Sequence, residues 1–362
     1  MSYVRRLGAV AGLIISSFVS SNVFSQDLNI KNAKSWEMTG RAQLQHVFNS
    51  DVASDASKTR QGFRIRRGRF QVKSVLNDYI QTKFQIEVRD NSPKLKDAEG
   101  KLKLGQSAFL RVGQFKVPVW REELRSSGKL MLVERSGAAG FLADMNLSAR
   151  HIGLEFGVKT DGGIEFAANY SNGAGEGGRE DAGRTKSSSI NNGKLFTGRI
   201  NVPVGDKFQV GVSAVASQDG NDIGGVDNSG TTTVIAPDFG LYLPVGEKGV
   251  FDLEAGVALG SQSSDFTGRN SDNGFFLFDV TGRWGTKLNE PVTGFGGMDG
   301  FELAAGYSIV DLDFGGKVST LRFGPAFGFG KQTRLQINAE IENEDGVDES
   351  EFKLRSQITF NF

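Results

Sequence analysis

The sequence predicts an all-β fold, a transmembrane antiparallel β-barrel of about sixteen strands. Three observations carry that reading. From Trp36 onward, apolar and polar residues alternate with period two. The connections between the alternating runs are short and long in turn. The composition is too polar for a helical membrane protein, yet rich in Gly and Phe.

Of 362 residues, 48 are Gly and 28 Phe, against 7 Pro and no Cys, and 38% are hydrophobic. The mean hydropathy is −0.28. Beyond the N-terminus no apolar run is long enough for a spanning helix. A barrel escapes that test, because only alternate residues of each strand face lipid. The 42 Lys and Arg balance 42 Asp and Glu, which argues against a nucleic-acid partner. The lack of Cys excludes a disulfide framework and thiolate metal sites, and it suits a chain that crosses an oxidising periplasm.

Residues 1–25 read as a signal peptide, with the barrel at 26–362. Arg5 and Arg6 form a basic start, Leu7 to Val19 an apolar stretch, and Val23-Phe24-Ser25 a cleavage site before Gln26.

The alternating runs follow in order at 35–47, 62–76, 79–89, 94–104, 108–117, 149–159, 163–171 and 194–203. They continue at 207–217, 232–244, 249–260, 274–284, 300–310, 317–329, 332–343 and 350–362. The last is the clearest, with Phe352, Leu354, Ile358, Phe360 and Phe362 on one face and Lys353, Arg355, Gln357 and Thr359 on the other. In the second run Phe63 and Ile65 have one parity, Phe70 and Val72 the other. A β-bulge near Arg66-Arg67 is therefore expected, keeping every apolar side chain outward.

Short links are expected at Asn77-Asp78, Gly105–Ser107, Thr160–Gly162, Gly205-Asp206, Gly246–Lys248 and Gly330–Gln332. Long polar connections fall at 49–61, 116–148, 172–193, 218–231 and 261–273. Two segments depart from the rule: 90–93 is brief where a loop is due, and 285–299 is extended where a turn is due. Trp36, Tyr79, Tyr242, Trp284 and Phe362 lie near strand ends, where interfacial girdles are expected.

Parity assigns the wall charges. Arg67, Arg69 and Lys73 of the second strand face inward, with Arg41 on the first, Lys83 and Arg89 on the third, and Lys353 and Arg355 on the last. Closure sets the last strand beside the first, so these cations gather in one sector. Arg111 joins them if the fifth strand, whose parity is ambiguous, turns that side inward. Asp252, Glu254, Glu302, Glu340 and Glu342 face inward elsewhere. Glu87 and Glu99 dilute the basic sector, so counting leaves the sign of the field open. We read the cluster as a modest anion preference.

Three segments together resemble a known family. They are Gly62-Phe63-Arg64-Ile65-Arg66-Arg67-Gly68-Arg69-Phe70, the run Phe109-Leu110-Arg111-Val112-Gly113-Gln114-Phe115-Lys116-Val117-Pro118, and Glu122-Glu123-Leu124 with Val133-Glu134-Arg135-Ser136. Their order and spacing are similar to the phosphate-selective porin O and P family, over residues 40–170. The resemblance implies a homotrimeric outer-membrane channel in contact with lipid, passing small anions such as phosphate, with a long loop folded into the lumen. That loop is 116–148, and Glu122, Glu123 and Glu134 would then face the basic wall at a constriction. No cofactor is implied, and the solute does not transfer with the fold.

Two rival classes are weaker. An enzyme needs a base beside its nucleophile, and the chain has only two His. His46 has lipid-facing parity, and His151 looks lumenal with no Ser or Asp motif around it. Asp219-Gly220-Asn221-Asp222 and Glu344-Asp345-Gly346 are oxygen-rich but lack calcium-loop spacing, so no metal site is expected. Gly173 to Gly183 reads as a loop, since no strand-to-helix pattern follows it. A non-conducting structural or adhesive barrel would need a filled interior, which about sixteen strands make too wide for side chains alone.

Overall fold

The computed structural model describes residues 32–50, 61–89, 92–178, 193–223 and 226–362, the backbone alone at 219–223 and 226–228. The proposed signal peptide, the connection at 51–60 and most of 179–193 lie outside the described residues.

Sixteen antiparallel strands close into one barrel. They are β1 (Ser35–Asn49), β2 (Gln61–Val75), β3 (Ile80–Arg89), β4 (Ser92–Leu104), β5 (Ala108–Lys116), β6 (Arg150–Lys159), β7 (Glu165–Ser171) and β8 (Leu195–Val204). The second half comprises β9 (Phe208–Ile223), β10 (Val226–Val245), β11 (Gly249–Gln262), β12 (Asn273–Val292), β13 (Met298–Leu312), β14 (Gly316–Phe329), β15 (Thr333–Glu344) and β16 (Glu351–Asn361). Each strand pairs with its chain neighbours, and β1 closes on β16 from Arg41↔Asn361 to Asn49↔Lys353. Gly40 and the terminal Phe362 exchange both backbone hydrogen bonds at that seam (2.6 and 3.0 Å). Closure satisfies every strand edge, as a bilayer requires.

The alternation is inside out relative to a soluble protein. Leu44, Phe63, Ile65, Phe84, Val112 and Phe323 are exposed on the outer wall, while Gln43, Gln45, Glu87, Asp97, Gln357 and Thr359 are buried inside. The expected bulge is present. Gln43 pairs with Arg67 and the next residue, Leu44, with Ile65, so Arg66 is the extra residue. A second bulge occurs in β4, where Gln85 pairs with Asp97 but Ile86 with Leu95. In β5 the positive φ of Gly113 (115°) breaks the alternation, so Gln114 and Phe115 are both buried. A Cβ there would lie 2.1 Å from the Ala98 carbonyl oxygen. This irregularity explains the ambiguous parity of β5.

Several sequence expectations are corrected. The polar stretch 218–231 is largely not a loop: β9 and β10 stay paired out to Ile223↔Val226. The stretch 285–299 is mostly strand, since β12 continues to Val292 before a 3-10 turn at Thr293–Phe295. The assignment of Tyr242 to a girdle fails. Its parity turns it into the lumen, where its hydroxyl donates to Glu254 Oε1 (2.5 Å). Trp284 does face outward, against Phe301, and His46 lies on the outer wall against Phe63 (ring centroids 4.7 Å apart).

Candidate functional site

The connection from β5 to β6 turns into the barrel and carries two short helices, α1 (Arg121–Leu124) and α2 (Gly137–Asp144). Apolar packing holds one side of it. Val117, Val119, Trp120, Ala138, Ala139, Leu142 and Leu147 form a buried cluster with Leu195, Val215, Val234, Ala236, Ala258 and Leu277, which point inward from β8 to β12. Each large side chain buried here contributes about 1.5–3 kcal/mol. Trp120 adopts a left-handed backbone (φ 64°) yet is only 1% exposed. Such strain costs about 1–3 kcal/mol and persists only where packing dictates it.

Hydrogen bonds hold the other side. Arg334 Nη1 donates to the Leu130 carbonyl (2.7 Å), Gln336 to that of Met131 (3.2 Å) and Arg322 to that of Glu134 (2.8 Å). The Val133 N–H donates to Asn338 Oδ1 (2.6 Å). The loop thus bridges from β8–β12 to β14–β15, and beyond them to β1 and β2.

Of the three predicted loop carboxylates, Glu134 is the one that meets the arginines of β2. Arg66 grips it with Nε (2.5 Å) and Nη2 (2.8 Å), while Arg64 and Arg67 approach to 3.6 and 3.7 Å. Burial pushes this carboxyl up. The hydrogen bond and charge of Arg66, with Arg67 and Arg355, outweigh that and hold it well below the ordinary carboxylate range. Glu122 and Glu123 do not face the predicted basic sector of β1–β3 and β16. Glu122 accepts from the backbone N–H and hydroxyl of Ser136 (3.0 and 2.6 Å), and Ser136 in turn caps α2 through Ala139 N (3.1 Å). Glu123 pairs with Lys116 (3.1 Å) and Arg135 (2.8 Å). Both carboxylates hold the loop in its fold: Glu122 through Ser136, with Arg322 of β14 at 4.0 Å, and Glu123 by tying Arg135 of the loop to Lys116 at the end of β5.

The wall residues predicted from parity are lumenal. Arg69 and Glu87 are hydrogen-bonded, and Arg69 also donates to Ser127 Oγ (2.8 Å). Lys83 pairs with Asp97 (2.7 Å), Arg355 with Glu340 (2.8 Å), and Lys353 with Glu351 (2.9 Å) and Glu342 (3.4 Å). Arg111 does turn inward, bonding Glu155 (2.5 Å) with its guanidinium over the Phe115 ring (4.2 Å). Lys73 sits at the rim with Glu37 (3.6 Å), and Arg89 at the exposed end of β3.

Parity arguments missed Arg64, Arg66 and Lys96, which the two bulges deliver to the lumen, and Lys116, Arg135 and Arg150 at the loop base. The acids are outnumbered. Glu87 faces Arg67, Arg69 and Lys96, and Asp97 faces Lys83 and Arg150. Arg41 bonds only neutral groups, Asn361 (2.8 Å) and the hydroxyls of Ser126 and Ser127 (both 3.4 Å), with no carboxylate within 4 Å among the described residues.

These groups surround a cavity of about 760 Å³ on the short-turn side of the loop. Arg41, Arg69, Lys73, Lys83, Arg111, Lys116, Lys129 and Arg150 line it against only Asp97 and Glu99. The two His offer no catalytic pair. The Gly175 N–H donates to His151 Nδ1 (3.3 Å) and His151 Nε2 bonds the Ser148 carbonyl (3.0 Å), so the ring ties two loops together.

Comparison with known proteins places this geometry. The family model described as phosphate-selective porin O and P matches residues 37–242. The chain belongs to that family. It is an outer-membrane porin, a passive channel of the bacterial outer membrane. No curated protein sequence matches it. Among solved structures, an anion-selective porin from Comamonas acidovorans superposes with a TM-score of 0.61 at 12% identity, covering 91% of this porin and 99% of that chain. OmpT of Vibrio cholerae, in vitro folded and in trimer form, gives 0.59 at 11% identity, covering 91% and 99%. OmpF of Salmonella typhi in complex with daunomycin gives 0.59 at 14%, covering 90% and 97%. At these identities the likeness is one of fold.

Proposed function

We propose that this porin passes small hydrophilic solutes with a preference for anions of the phosphate type. The observation that carries the reading is the cavity lined by eight cations and two carboxylates. Glu87, Glu155, Glu123 and Glu37 pair with Arg69, Arg111, Lys116 and Lys73 from outside the lining, while Arg41 and Lys129 have no carboxylate within 4 Å among the described residues. In a narrow, partly dehydrated passage, screening is weak and the sign of the wall sets ion preference. Arg41, Arg69, Lys73, Lys83 and Arg111 line that cavity, and Arg67, Lys353 and Arg355 set the field on the same wall. Glu134, Glu122 and Glu123 hold the inner loop in position. Family membership supports a homotrimer embedded in outer-membrane lipid, and residues 1–25 serve as its secretion signal. The reading includes no chemical step, cofactor or metal. His46 lies on the outer wall and His151 is engaged at both ring nitrogens, which supports a channel without catalysis.

Insertion into a planar bilayer tests the channel itself: purified protein is expected to give discrete conductance steps with current linear in voltage. Protein that inserts without conductance would point to a structural barrel instead. Arg41→Glu with Arg69→Glu is expected to lower the anion-to-cation permeability ratio severalfold while the steps persist.

A further inference from the structure

A second compartment of the lumen has a different chemistry. It is a cavity of about 690 Å³ on the short-turn side, beside α1 and the wall from β3 to β11. Phe109, Pro118, Leu124 and Tyr242 contribute to its lining together with Lys101 and Lys103. Phe109 shares the parity of the lumenal Arg111, and Leu124 remains 37% exposed although it faces the channel interior. Apolar surface bared to water inside a channel gains free energy when an apolar group covers it.

The charge beside that surface is available. Lys101 Nζ stands 3.7 Å from the centroid of the Phe109 ring. Neither Lys101 nor Lys103 has a carboxylate within 4 Å among the described residues. The neighbouring cations are already paired: Arg121 and Arg199 share Asp238 (2.8 and 2.5 Å), Lys159 bonds Glu165 (2.8 Å), and Arg125 bonds Glu254. An entering anion therefore meets the two lysines, one of them directly against an aromatic face. The ring has a dedicated seat. A Cβ on Gly157 would lie 2.2 Å from Phe109 Cζ, so only glycine leaves room for it.

We propose that this compartment is a binding site for small organic anions with an apolar body, of the aryl carboxylate class, distinct from the more polar cavity on the basic wall. The carboxylate sits at Lys101 and Lys103 and the apolar body on Phe109, Leu124 and Pro118. The charged half of the proposal rests on the anion path described above, and the apolar half does not.

The test compares two monoanions that differ in their apolar body, benzoate and acetate, as blockers of chloride current through the purified full-length porin in a planar bilayer. Contact of a ring with an aromatic side chain is worth on the order of tenfold in affinity. Benzoate is therefore expected to half-block at about one tenth of the acetate concentration. Phe109→Ala with Leu124→Ser should raise the benzoate value to that of acetate and leave the KCl reversal potential unchanged, since no charge is altered. Gly157→Ala, which unseats the ring, should do the same if the double variant fails to fold. Equal block by benzoate and acetate in the unmodified porin overturns the proposal. If the KCl potential is then still anion-selective, the anion preference itself stands. A cation-selective potential with stronger block by benzylammonium than by benzoate overturns both.

Discussion

Glu134→Gln is the sharpest single perturbation of the inner loop. Its carboxylate is clamped by Arg66 at 2.5 and 2.8 Å and approached by Arg67 at 3.7 Å, with side chains only 15% and 5% exposed. Arg64 is 37% exposed, so solvent screens its share to a small contribution. Removing one partner of a buried pair costs about 3–5 kcal/mol, and the amide retains one hydrogen bond, so about 3 kcal/mol is expected. That raises the undocked population of the loop on the order of 150-fold. Lys129 and Arg135 lie within this loop, so trypsin cleavage between 121 and 148, followed by mass spectrometry, reads undocking directly. The variant should be cut far faster than the parent protein, and its reversal potential should move toward stronger anion preference because the lumen gains a positive charge. Cleavage within about threefold of the parent rate would refute the clamp, since it corresponds to well under 1 kcal/mol.

Other expectations follow from the same geometry. The Glu134 carboxyl is held below its ordinary value, so its contribution is complete above about pH 4.3 and lost only as pH falls through the depressed value. Trypsin protection of the loop at pH 8 should therefore survive preincubation at about pH 5, and loss of protection there would contradict the pairing. Trp120→Ala deletes the buried indole, a change that costs about 3–5 kcal/mol, offset in part by any strain it releases. The barrel should persist by circular dichroism while the loop becomes protease-sensitive. Deleting Arg66 removes the bulge and restores plain alternation, with Ile65 outward and Arg67 inward. The barrel should still form, with weaker loop docking, whereas deleting Ile65 should abolish assembly, and the heat-modifiable gel mobility of the folded barrel reads both outcomes.

The barrel was legible because lipid on one side and water on the other enforce a strict period of two, which a sequence displays openly. Even the bulge at Arg66 could be inferred, since Phe63 and Phe70 cannot both face lipid without it. The bulge's consequence was less visible. Two successive residues then point the same way, so Arg64 and Arg66 join the lumen against simple parity. The seat of the inner loop was written in the sequence in another form. Val215, Val234 and Ala236 interrupt the polar parity of β9 and β10, giving runs apolar on both faces, the mark of a strand covered on both sides. The roles of Glu122 and Glu123 were not legible, because the hydrogen bonds from Ser136 to Glu122 and the ion pairs of Glu123 with Lys116 and Arg135 depend on how the loop folds back on itself. Tyr242 misled for a simpler reason. An aromatic near a strand end suits a girdle, and only register shows that it faces Glu254.

On the proposed reading, the cation excess on the β1–β6 wall should make one sign of current dominant. The zero-current potential of the unmodified porin across a planar bilayer with a KCl gradient measures that sign directly. A potential on the chloride side is the expected result. A potential on the potassium side would mean that the wall cations are silenced by their carboxylate partners and that some other part of the lumen governs passage.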